Sequence, residues 1–440
     1  MAYYPLIRKI ILICGDTVCL YLATAAAMLL ELGLKQADKI SFHLQFLPIL
    51  IIIMLVMFNV YGLFSLVRKR LADIFLNLIV AVINIYVIAM AITFFFRSFD
   101  YSRLVLLYSG VFSLLLLFLW NYFCHQWEIK NLPAFSGILF CGKDEAARLQ
   151  NKITKIYGMQ KAIKETVTDF SNVVEWKKAA EKYDLIFIGS EVPINIKEQI
   201  ICFGRSARKQ MFIVPTIYEM ACKNTRLIIA DDVPMQRITR LLLTTEQRVL
   251  KRLLDIFVAI PAVIILIPVM LVTAIAIKLD SKGPVFYSQE RVGLYGKPYK
   301  VYKFRSMKQD AEAQSGPVLA KEGDSRITKV GKFIRATRID ELPQLFNVLK
   351  GEMSIVGPRP ERLFFVEQFI KEKPEYAYRH NVKPGITGLA QIAGKYNTTA
   401  YDKLIYDLIY IQEVSVKTDL IIMLQTLKVL ITKESTEGVK

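Results

Sequence analysis

Long apolar runs separated by short polar segments occupy the first third of the chain. Four of these runs each hold roughly twenty apolar residues, the length that a helix needs to cross about 30 Å of hydrocarbon. They are Ile10–Leu30, Phe46–Phe64, Leu76–Phe96 and Leu104–Cys124. The pattern predicts a bundle of four transmembrane helices over residues 1–130. The basic residues that flank the runs favour a cytoplasmic N-terminus.

Two polar side chains, Asp16 and Asn84, interrupt the apolar runs. A polar group inside a bilayer is costly, so it either marks a functional site or forms hydrogen bonds between helices. Hydrogen bonding between helices, or a position close to the membrane interface, is more common than a functional role, and we expect one of these two for both residues.

The pattern changes between residues 131 and 245, where short β-rich runs alternate with polar, helix-like segments. The runs are Gly137–Cys141, Leu185–Gly189, Met211–Pro215 and Arg226–Ala230. Such alternation predicts a Rossmann-like βαβ domain with a parallel sheet. The segment 137–144 imitates a phosphate-binding loop but ends in Asp144, where Ser or Thr is needed, and it lacks the glycines of a dinucleotide fingerprint. A structural or regulatory role is therefore expected in preference to nucleotide binding.

A fifth apolar run, Ile256–Ile277, is long enough to cross a membrane but contains Pro261 and Pro268. Proline removes a backbone donor and disturbs the preceding turn, so a straight helix is not expected. Basic residues flank both ends, which argues against a simple crossing. We therefore expect a re-entrant helix over residues 253–278, with its break at Pro268. The whole segment 246–440 is predicted as a mostly helical domain on the cytoplasmic side.

The predicted fold is thus a membrane α-helical bundle combined with an α/β domain and a helical domain, and the composition agrees with it. Hydrophobic residues make up 54% of the 440 residues, which excludes a disordered or repetitive chain. The formal net charge of +18 suits phosphates or anionic lipid headgroups. Nucleic acid is not expected, because no nucleic-acid-binding module occurs. The six cysteines lack disulfide or metal spacing and are expected to be reduced.

The residues most capable of chemistry lie between Arg335 and Glu361. Asp340 and Glu341 directly precede a segment with helical apolar spacing, so they are expected at a helix N-terminus. Acidic residues in that position commonly cap the helix, and this role stays open for both. Adjacent carboxylates among arginines also suit a divalent cation together with phosphate oxygens. With only three histidines in the chain, Mg²⁺ is expected rather than zinc.

Five ordered motifs occur between Lys251 and Lys433. They are Lys251–Asp255, Gly283–Gly293, Tyr302–Met307, the Asp340–Glu341 helix with Val356–Glu361, and Val382–Gly388. In this order the motifs closely resemble those of the bacterial sugar transferase family. Large members of that family have four membrane helices, a Rossmann-like middle domain and a catalytic domain on a re-entrant helix, which is the layout expected here.

The resemblance implies transfer of a hexose-1-phosphate from a UDP-sugar to undecaprenyl phosphate, with UDP-glucose or UDP-galactose as the expected donor. The products would be undecaprenyl-diphosphate-hexose and UMP, in the first step of exopolysaccharide, capsule or O-antigen synthesis. By the same resemblance, Asp340 would attack the β-phosphate and carry the phosphosugar, while Glu341 would hold Mg²⁺ on the diphosphate.

Basic residues around this pair are candidate ligands of the substrates. We expect Arg335 and Arg359 to bind phosphate oxygens, with a salt bridge to the carboxylates as an equal alternative for each. The further candidates for phosphate binding are Lys303, Arg305 and Arg291, with lipid headgroups as an equal alternative partner for each. The candidates for nucleotide binding are Arg379, Lys383 and Gln391.

The expected setting is the bacterial inner membrane, with a multi-pass chain and the catalytic domain on the cytoplasmic face. The expected partners are the bilayer, the UDP-sugar and undecaprenyl phosphate, and a homodimer is one option for the assembly. The amphipathic stretch Leu404–Ile431 lies either on the membrane surface or against the catalytic core. The alternative function is a non-catalytic scaffold or regulator of polysaccharide assembly, and the intact Asp340–Glu341 pair favours the enzyme.

Overall fold

The chain forms two structural units in the computed structural model, Met1–Pro215 and Thr216–Lys440. The structure describes residues 4–33, 37–64, 69–96, 102–131, 136–154, 162–222, 226–230, 233–237, 241–308, 326–394 and 399–431. The first unit contains the apolar bundle and a parallel sheet, and the second contains every predicted site residue.

Four apolar helices begin the first unit, as the hydrophobic pattern predicts. They are α1 (Tyr4–Leu32), α2 (Ala37–Val60), α3 (Leu71–Phe95) and α4 (Arg103–Asn131). By length and composition α1, α3 and α4 can cross a membrane, while the described apolar part of α2, Leu44–Val60, is shorter. Side chains such as Leu22 and Leu30 on α1 stay exposed, so the bundle presents an apolar surface to its surroundings.

Both polar residues of the bundle bond to a partner on another segment. The Asn121 amide on α4 donates to Asp16 Oδ1 on α1 at 2.9 Å. The Asn84 amide on α3 donates to the hydroxyl of Tyr61, just after α2, at 2.9 Å. The prediction of hydrogen bonds that link the helices is thereby confirmed.

A four-stranded parallel sheet follows the bundle. Its strands are β1 (Gly137–Phe140), β2 (Ile163–Val167), β3 (Leu185–Ile188) and β4 (Gln210–Ile213), in the order β2-β1-β3-β4. The connecting helices are α5 (Lys143–Thr154), α6 (Val173–Glu181) and α7 (Ile194–Ser206). The alternation of strands and helices is as predicted. The hydrophobic pattern does not predict β2, because this edge strand carries Lys164 and Glu165.

The fourth predicted run, Arg226–Ala230, lies outside this sheet, so that part of the prediction is wrong. It forms β5 and pairs antiparallel with β6 (Val233–Arg237) in the second unit, after the short helix α8 (Ile217–Ala221). Two residues separate the strands, which suffices for a hairpin but not for the crossover that parallel strands need. The predicted domain boundaries at 130/131 and 245/246 stay predictions.

The carboxyl ends of β1 and β3 meet at the point where parallel sheets of this kind bind nucleotides. Glu145 of α5 occupies this point: it accepts from the Ser190 hydroxyl at 2.9 Å and from the Glu191 N–H at 3.0 Å. A Cβ at Gly189 would lie 1.9 Å from Glu145 Oε1, so the space is filled. Two carboxylates at this edge disfavour phosphate binding and support the predicted structural or regulatory role.

The fifth apolar run forms one long helix, α9 (Thr245–Asp280), in the second unit. A capping box between Thr244 and Gln247 begins it. The helix continues through Pro261 and Pro268, so the hydrogen bonds lost at the two prolines do not end it. The re-entrant course of the chain, with a break at Pro268, stays a prediction.

Apolar side chains on α9 are widely exposed. Phe257, Ile265 and Leu279 have exposed fractions of 78%, 73% and 84%. By length and composition α9 is also one of the described helices that can cross a membrane. Apolar surface of this extent needs lipid or protein to cover it, so α9 is the candidate element of the second unit for contact with a membrane.

Two strand pairs and six further helices complete the second unit. The strands are β7 (Phe286–Val292), antiparallel to β8 (Pro298–Phe304), and β9 (Ser354–Val356), parallel to β10 (Gly385–Thr387). The helices are α10 (Lys329–Ala336), α11 (Gln344–Lys350), α12 (Leu363–Glu372), α13 (Leu389–Ala393), α14 (Ala400–Gln412) and α15 (Val416–Ile431). Leu404, Leu408 and Ile422 are buried in the shared core, so one face of the amphipathic stretch packs against it.

Candidate active site

The predicted carboxylate pair lies in the tight connection between α10 and α11. Arg338 begins this connection in the left-handed conformation, with φ 57°, which costs an ordinary side chain about 1–2 kcal/mol. A short 3₁₀ turn, Ile339–Glu341, then carries both acids. Pro343 is the N-cap residue of α11, where its missing N–H costs no helical hydrogen bond. The expectation that Asp340 and Glu341 precede a helix is therefore confirmed.

Glu341 is the centre of a charged cluster contributed by three segments. Lys303 on β8 and Arg359, which follows β9, each donate to Glu341 Oε1 at 2.8 Å. Glu341 is 9% exposed, and burial alone would oppose its ionisation. Arg359 and Lys303 nevertheless hold the pKa of Glu341 well below its usual range. The salt bridge that was an alternative for Arg359 is thus present.

The neighbouring Asp340 shows the opposite balance. Burial and the negative charge of Glu341 raise the pKa of Asp340 to about 6. Lys303, Arg335 and Arg359 act against this rise. Asp340 is therefore mostly ionised at pH 7 but more basic than an exposed aspartate. Adjacent acids whose pKa values are driven apart by their surroundings are a feature of catalytic sites.

Two other predicted ligands, Arg291 and Arg379, support the segment that carries Arg359. Arg291 Nη1 donates to the Pro360 carbonyl at 3.1 Å. Arg379 Nη2 donates to the Arg359 carbonyl at 2.9 Å, and it forms an ion pair with Asp407 at 2.9 Å. Both guanidiniums therefore bind main chain, and their contacts with phosphate or nucleotide stay predictions.

Arg305 is buried beside the residues that follow α9. Its guanidinium donates to the Ser281 carbonyl at 2.8 Å and to the Lys282 carbonyl at 2.9 Å. These bonds fix the chain where it leaves α9. Arg305 thus has a structural role, and its predicted role at a phosphate has no support from these contacts.

Lys383 and Gln391 lie near β10. Burial and the charge of Arg252 lower the pKa of Lys383. The Gln391 amide donates to the Ile386 carbonyl at 3.1 Å. Their predicted contacts with a nucleotide stay predictions.

Sequence reasoning missed the residues that position the carboxylate helix. Arg252 of α9 donates to the Val348 and Leu349 carbonyls at 2.5 and 2.7 Å and so caps the C-terminus of α11. The Asn347 amide of α11 donates to the Lys300 carbonyl at 2.7 Å, which joins α11 to β8. Arg252 and Asn347 are both polar residues next to apolar ones. This was the signal in the sequence that could have identified them.

The Mg²⁺ expected at Glu341 stays a prediction, and the contacts of Glu341 show which of its oxygens could bind the ion. Both described ion pairs of Glu341 go to Oε1, so Oε2 is the oxygen that can bind a metal. Among the described residues, no group of three or more His, Cys, Asp or Glu side chains could enclose an ion. Mg²⁺ commonly takes one or two carboxylates and completes its shell with phosphate oxygens and water, which agrees with a site of this kind.

A long apolar helix joined to a paired-carboxylate cluster with several cations defines a class: membrane-anchored proteins that handle phosphorylated substrates at the bilayer surface. The model of the bacterial sugar transferase family matches residues 246–433. This segment contains α9 and every predicted site residue.

Three relatives show how far the similarity extends. A UDP-N-acetylgalactosamine-undecaprenyl-phosphate N-acetylgalactosaminephosphotransferase of Aeromonas hydrophila is 49% identical over 186 residues, 42% of this chain and 44% of the relative. A UDP-glucose:undecaprenyl-phosphate glucose-1-phosphate transferase of Klebsiella pneumoniae is 43% identical over 228 residues, 50% of this chain and 49% of the relative. The exopolysaccharide production protein PSS of Rhizobium leguminosarum bv. phaseoli is 42% identical over 201 residues, 43% of this chain and 97% of the relative.

The matched segment spans about half the length of the first two relatives and nearly all of the third. The chain belongs to the bacterial sugar transferase family. The resemblance drawn from the five motifs is thereby confirmed.

Proposed function

We propose that the chain transfers a hexose-1-phosphate from a UDP-sugar to undecaprenyl phosphate, with undecaprenyl-diphosphate-hexose and UMP as products. The observation that carries this proposal is the convergence of Lys303 and Arg359 on Glu341, directly beside Asp340. Family membership and the names of the two transferases described above support the same reaction. The product would begin an exopolysaccharide, capsule or O-antigen chain.

Asp340 is the proposed nucleophile. Its carboxylate attacks the β-phosphorus of the donor, the bond to the bridging oxygen breaks, and UMP leaves with the electron pair. A phosphate oxygen of undecaprenyl phosphate then attacks the same phosphorus, which forms the diphosphate product and restores the carboxylate. The raised pKa of Asp340 supports this role, because a more basic carboxylate is a stronger nucleophile.

The cations around the pair would stabilise the charge that the donor brings. Arg359 and Arg335 are the proposed ligands of the diphosphate oxygens, since a guanidinium offers two parallel donors to phosphate. Lys303 would keep Glu341 in place. Mg²⁺ held by Glu341 would offset the negative charge that otherwise repels Asp340 from the phosphorus.

The membrane helix would bring the site to the acceptor. Undecaprenyl phosphate has its tail in hydrocarbon and its phosphate at the surface, so a site held at that depth can meet it without extracting the lipid. The exposed apolar side chains of α9 and the basic residues at both its ends support a re-entrant helix. We place the catalytic unit on the cytoplasmic face of the inner membrane, where UDP-sugars are made.

The sugar of the donor calls for a direct comparison. UDP-glucose and UDP-galactose are the donors expected from the sequence, and the relatives described above are named for glucose and N-acetylgalactosamine. The full-length protein in nanodiscs with undecaprenyl phosphate and Mg²⁺ should therefore be offered UDP-glucose, UDP-galactose and UDP-N-acetylgalactosamine in turn. UMP release with one of them is the expected result.

Asp340→Asn tests the mechanism in the same assay. Without a nucleophile, UMP release should fall by about a thousandfold or more. Glu367→Gln, which neutralises an exposed carboxylate on α12, is the matched control and should retain activity. Unchanged release in Asp340→Asn would exclude this residue as the nucleophile. No release from the unaltered protein with any donor would favour the scaffold.

A further inference from the structure

The segment that delivers Arg359 to the site has its main chain bonded at each residue. Two of its residues, Pro358 and Pro360, have no N–H and therefore cannot donate a hydrogen bond. The carbonyls of residues 358–361 accept hydrogen bonds from other elements, and the Gly357 N–H donates one. From residue 357 to residue 361 the bonding partners are Thr387, Gly385, Arg379, Arg291 and Val292.

The partner of the Arg359 carbonyl is itself held by a buried ion pair. Arg379 is 5% exposed and Asp407, on α14, is 2% exposed. Their charged groups approach to 2.9 Å, and Arg379 Nη1 also donates to the Tyr376 hydroxyl. A continuous series of contacts therefore leads from Asp407 through Arg379 and Arg359 to Glu341.

We propose that Asp407 is a positioning residue for the transfer proposed above: its carboxylate fixes the Arg379 guanidinium, which fixes the main chain of Arg359 and so the place of its guanidinium. This inference rests on the proposed function. Neither Asp407 nor Arg379 needs to touch a substrate. An error of about 1 Å in the place of a catalytic group can cost roughly a hundredfold in rate. Accurate positioning of Arg359 can therefore outweigh the cost of burying an ion pair.

Packing alone does not account for the pair. A buried ion pair is often no more stable than apolar side chains of the same volume, because both charges must leave water. Burial raises the pKa of Asp407 to about 6 even though Arg379 acts against the rise. The ionised Asp407 carboxylate therefore lowers the stability of the folded protein. The next residue on α14, Leu408, is apolar and packs in the core without such a cost.

A double-mutant cycle with Asp407→Asn and Arg359→Lys tests the inference on the full-length protein in nanodiscs. Asp407→Asn should lower kcat/KM by about 10- to 100-fold in the native background. In the Arg359→Lys background the same change should cost less than about twofold, because the guanidinium to be positioned is gone. Leu408→Ala, a core truncation on the same helix, should have the same effect in both backgrounds. Equal losses from Asp407→Asn in both backgrounds would overturn the inference.

Amide hydrogen exchange gives a second measurement that needs no turnover. Asp407→Asn should speed exchange at the Gly357 and Gly385 N–H groups, which bond within or to the Arg359 segment. The β7–β8 hairpin should show no such acceleration of exchange. If the unaltered protein transfers no sugar phosphate, the proposed function fails, and exchange alone decides the inference. Unchanged exchange at both glycines would refute it.

Discussion

Asp407→Asn is expected to make the C-terminal unit more stable at neutral pH while it lowers activity. The pKa of Asp407 is raised by burial from 3.8 to about 6 in the folded protein. A difference of about 2 units corresponds to roughly 3 kcal/mol, at 1.36 kcal/mol per unit. Asparagine has nearly the same shape but cannot ionise, so the variant does not carry this cost.

The sign of the effect depends on pH. The folded state holds the proton of Asp407 more tightly than the unfolded chain does. The stability that this provides is complete below about pH 4 and is lost as the pH rises through 6. Variant and unaltered protein should therefore be about equally stable near pH 4, and the variant should gain up to about 3 kcal/mol by pH 7.

The charged groups around Asp407 do not change this comparison. Arg379 faces Asp407 from the 3₁₀ segment Pro374–Asn381. Glu361 faces it from the Arg359 segment, and Lys403 lies on the same helix as Asp407. The Tyr376 hydroxyl also bonds to Arg379, and burial raises its pKa to about 12. The pKa of Arg379 is raised and that of Tyr376 lies near 12, so neither group changes its protonation between pH 4.5 and 7.5.

Native-state hydrogen exchange in nanodiscs can measure this difference. The slowest amides of α14 report the free energy of opening of the unit, and rates corrected for intrinsic exchange can be compared from pH 4.5 to 7.5. The expected result is a difference between the two proteins that grows with pH in favour of the variant. A difference that is independent of pH, or a variant that is less stable at pH 7, would refute the reasoning.

Two further substitutions test single features of the site. Arg338→Gly should be more stable than Arg338→Ala by about 1 kcal/mol, because glycine adopts the left-handed φ of 57° without strain. Hydrogen exchange of α10 measures this difference. A glycine variant that is no more stable than the alanine variant would contradict the prediction. Arg305→Lys should lower the stability of the unit, because lysine cannot bind the Ser281 and Lys282 carbonyls together, and should leave KM for the donor unchanged. A raised KM without loss of stability would indicate that Arg305 binds a phosphate group of the donor.

The fold could be predicted wherever the hydrophobic period is strong. The apolar helices, three strands of the parallel sheet and the helix after Asp340 and Glu341 all follow from such periods. The edge strand β2 was missed because its charged residues hide the period. The run Arg226–Ala230 was placed in the wrong sheet, because its apolar character does not identify a pairing partner. Pairing depends on the length of the connection, which is short enough here to require a hairpin.

The candidate site could be predicted only in part, because the sequence shows where a charge is but not what it faces. A salt bridge to the carboxylates was expected as an alternative for Arg359 but not for Lys303, and both bind Glu341. Arg291, Arg305 and Arg379 are arginines like Arg359, yet their N–H groups bind main-chain carbonyls. Whether an arginine can bind a substrate or instead holds the main chain depends on the direction of its side chain, which the sequence does not show.

These supporting arginines have a common physical cause in the sequence around Arg359. Pro358 and Pro360 stiffen the chain on either side of it, but they also remove the two N–H groups with which a strand would pair. The segment therefore cannot be held by a regular ladder, and its buried carbonyls need donors from elsewhere. A guanidinium can donate to a carbonyl and bind an anion at the same time, which a backbone N–H cannot do. Arg379 does both, at the Arg359 carbonyl and at Asp407. The prolines that set the course of the segment thus create the need for the buried ion pair that we propose as its positioning device.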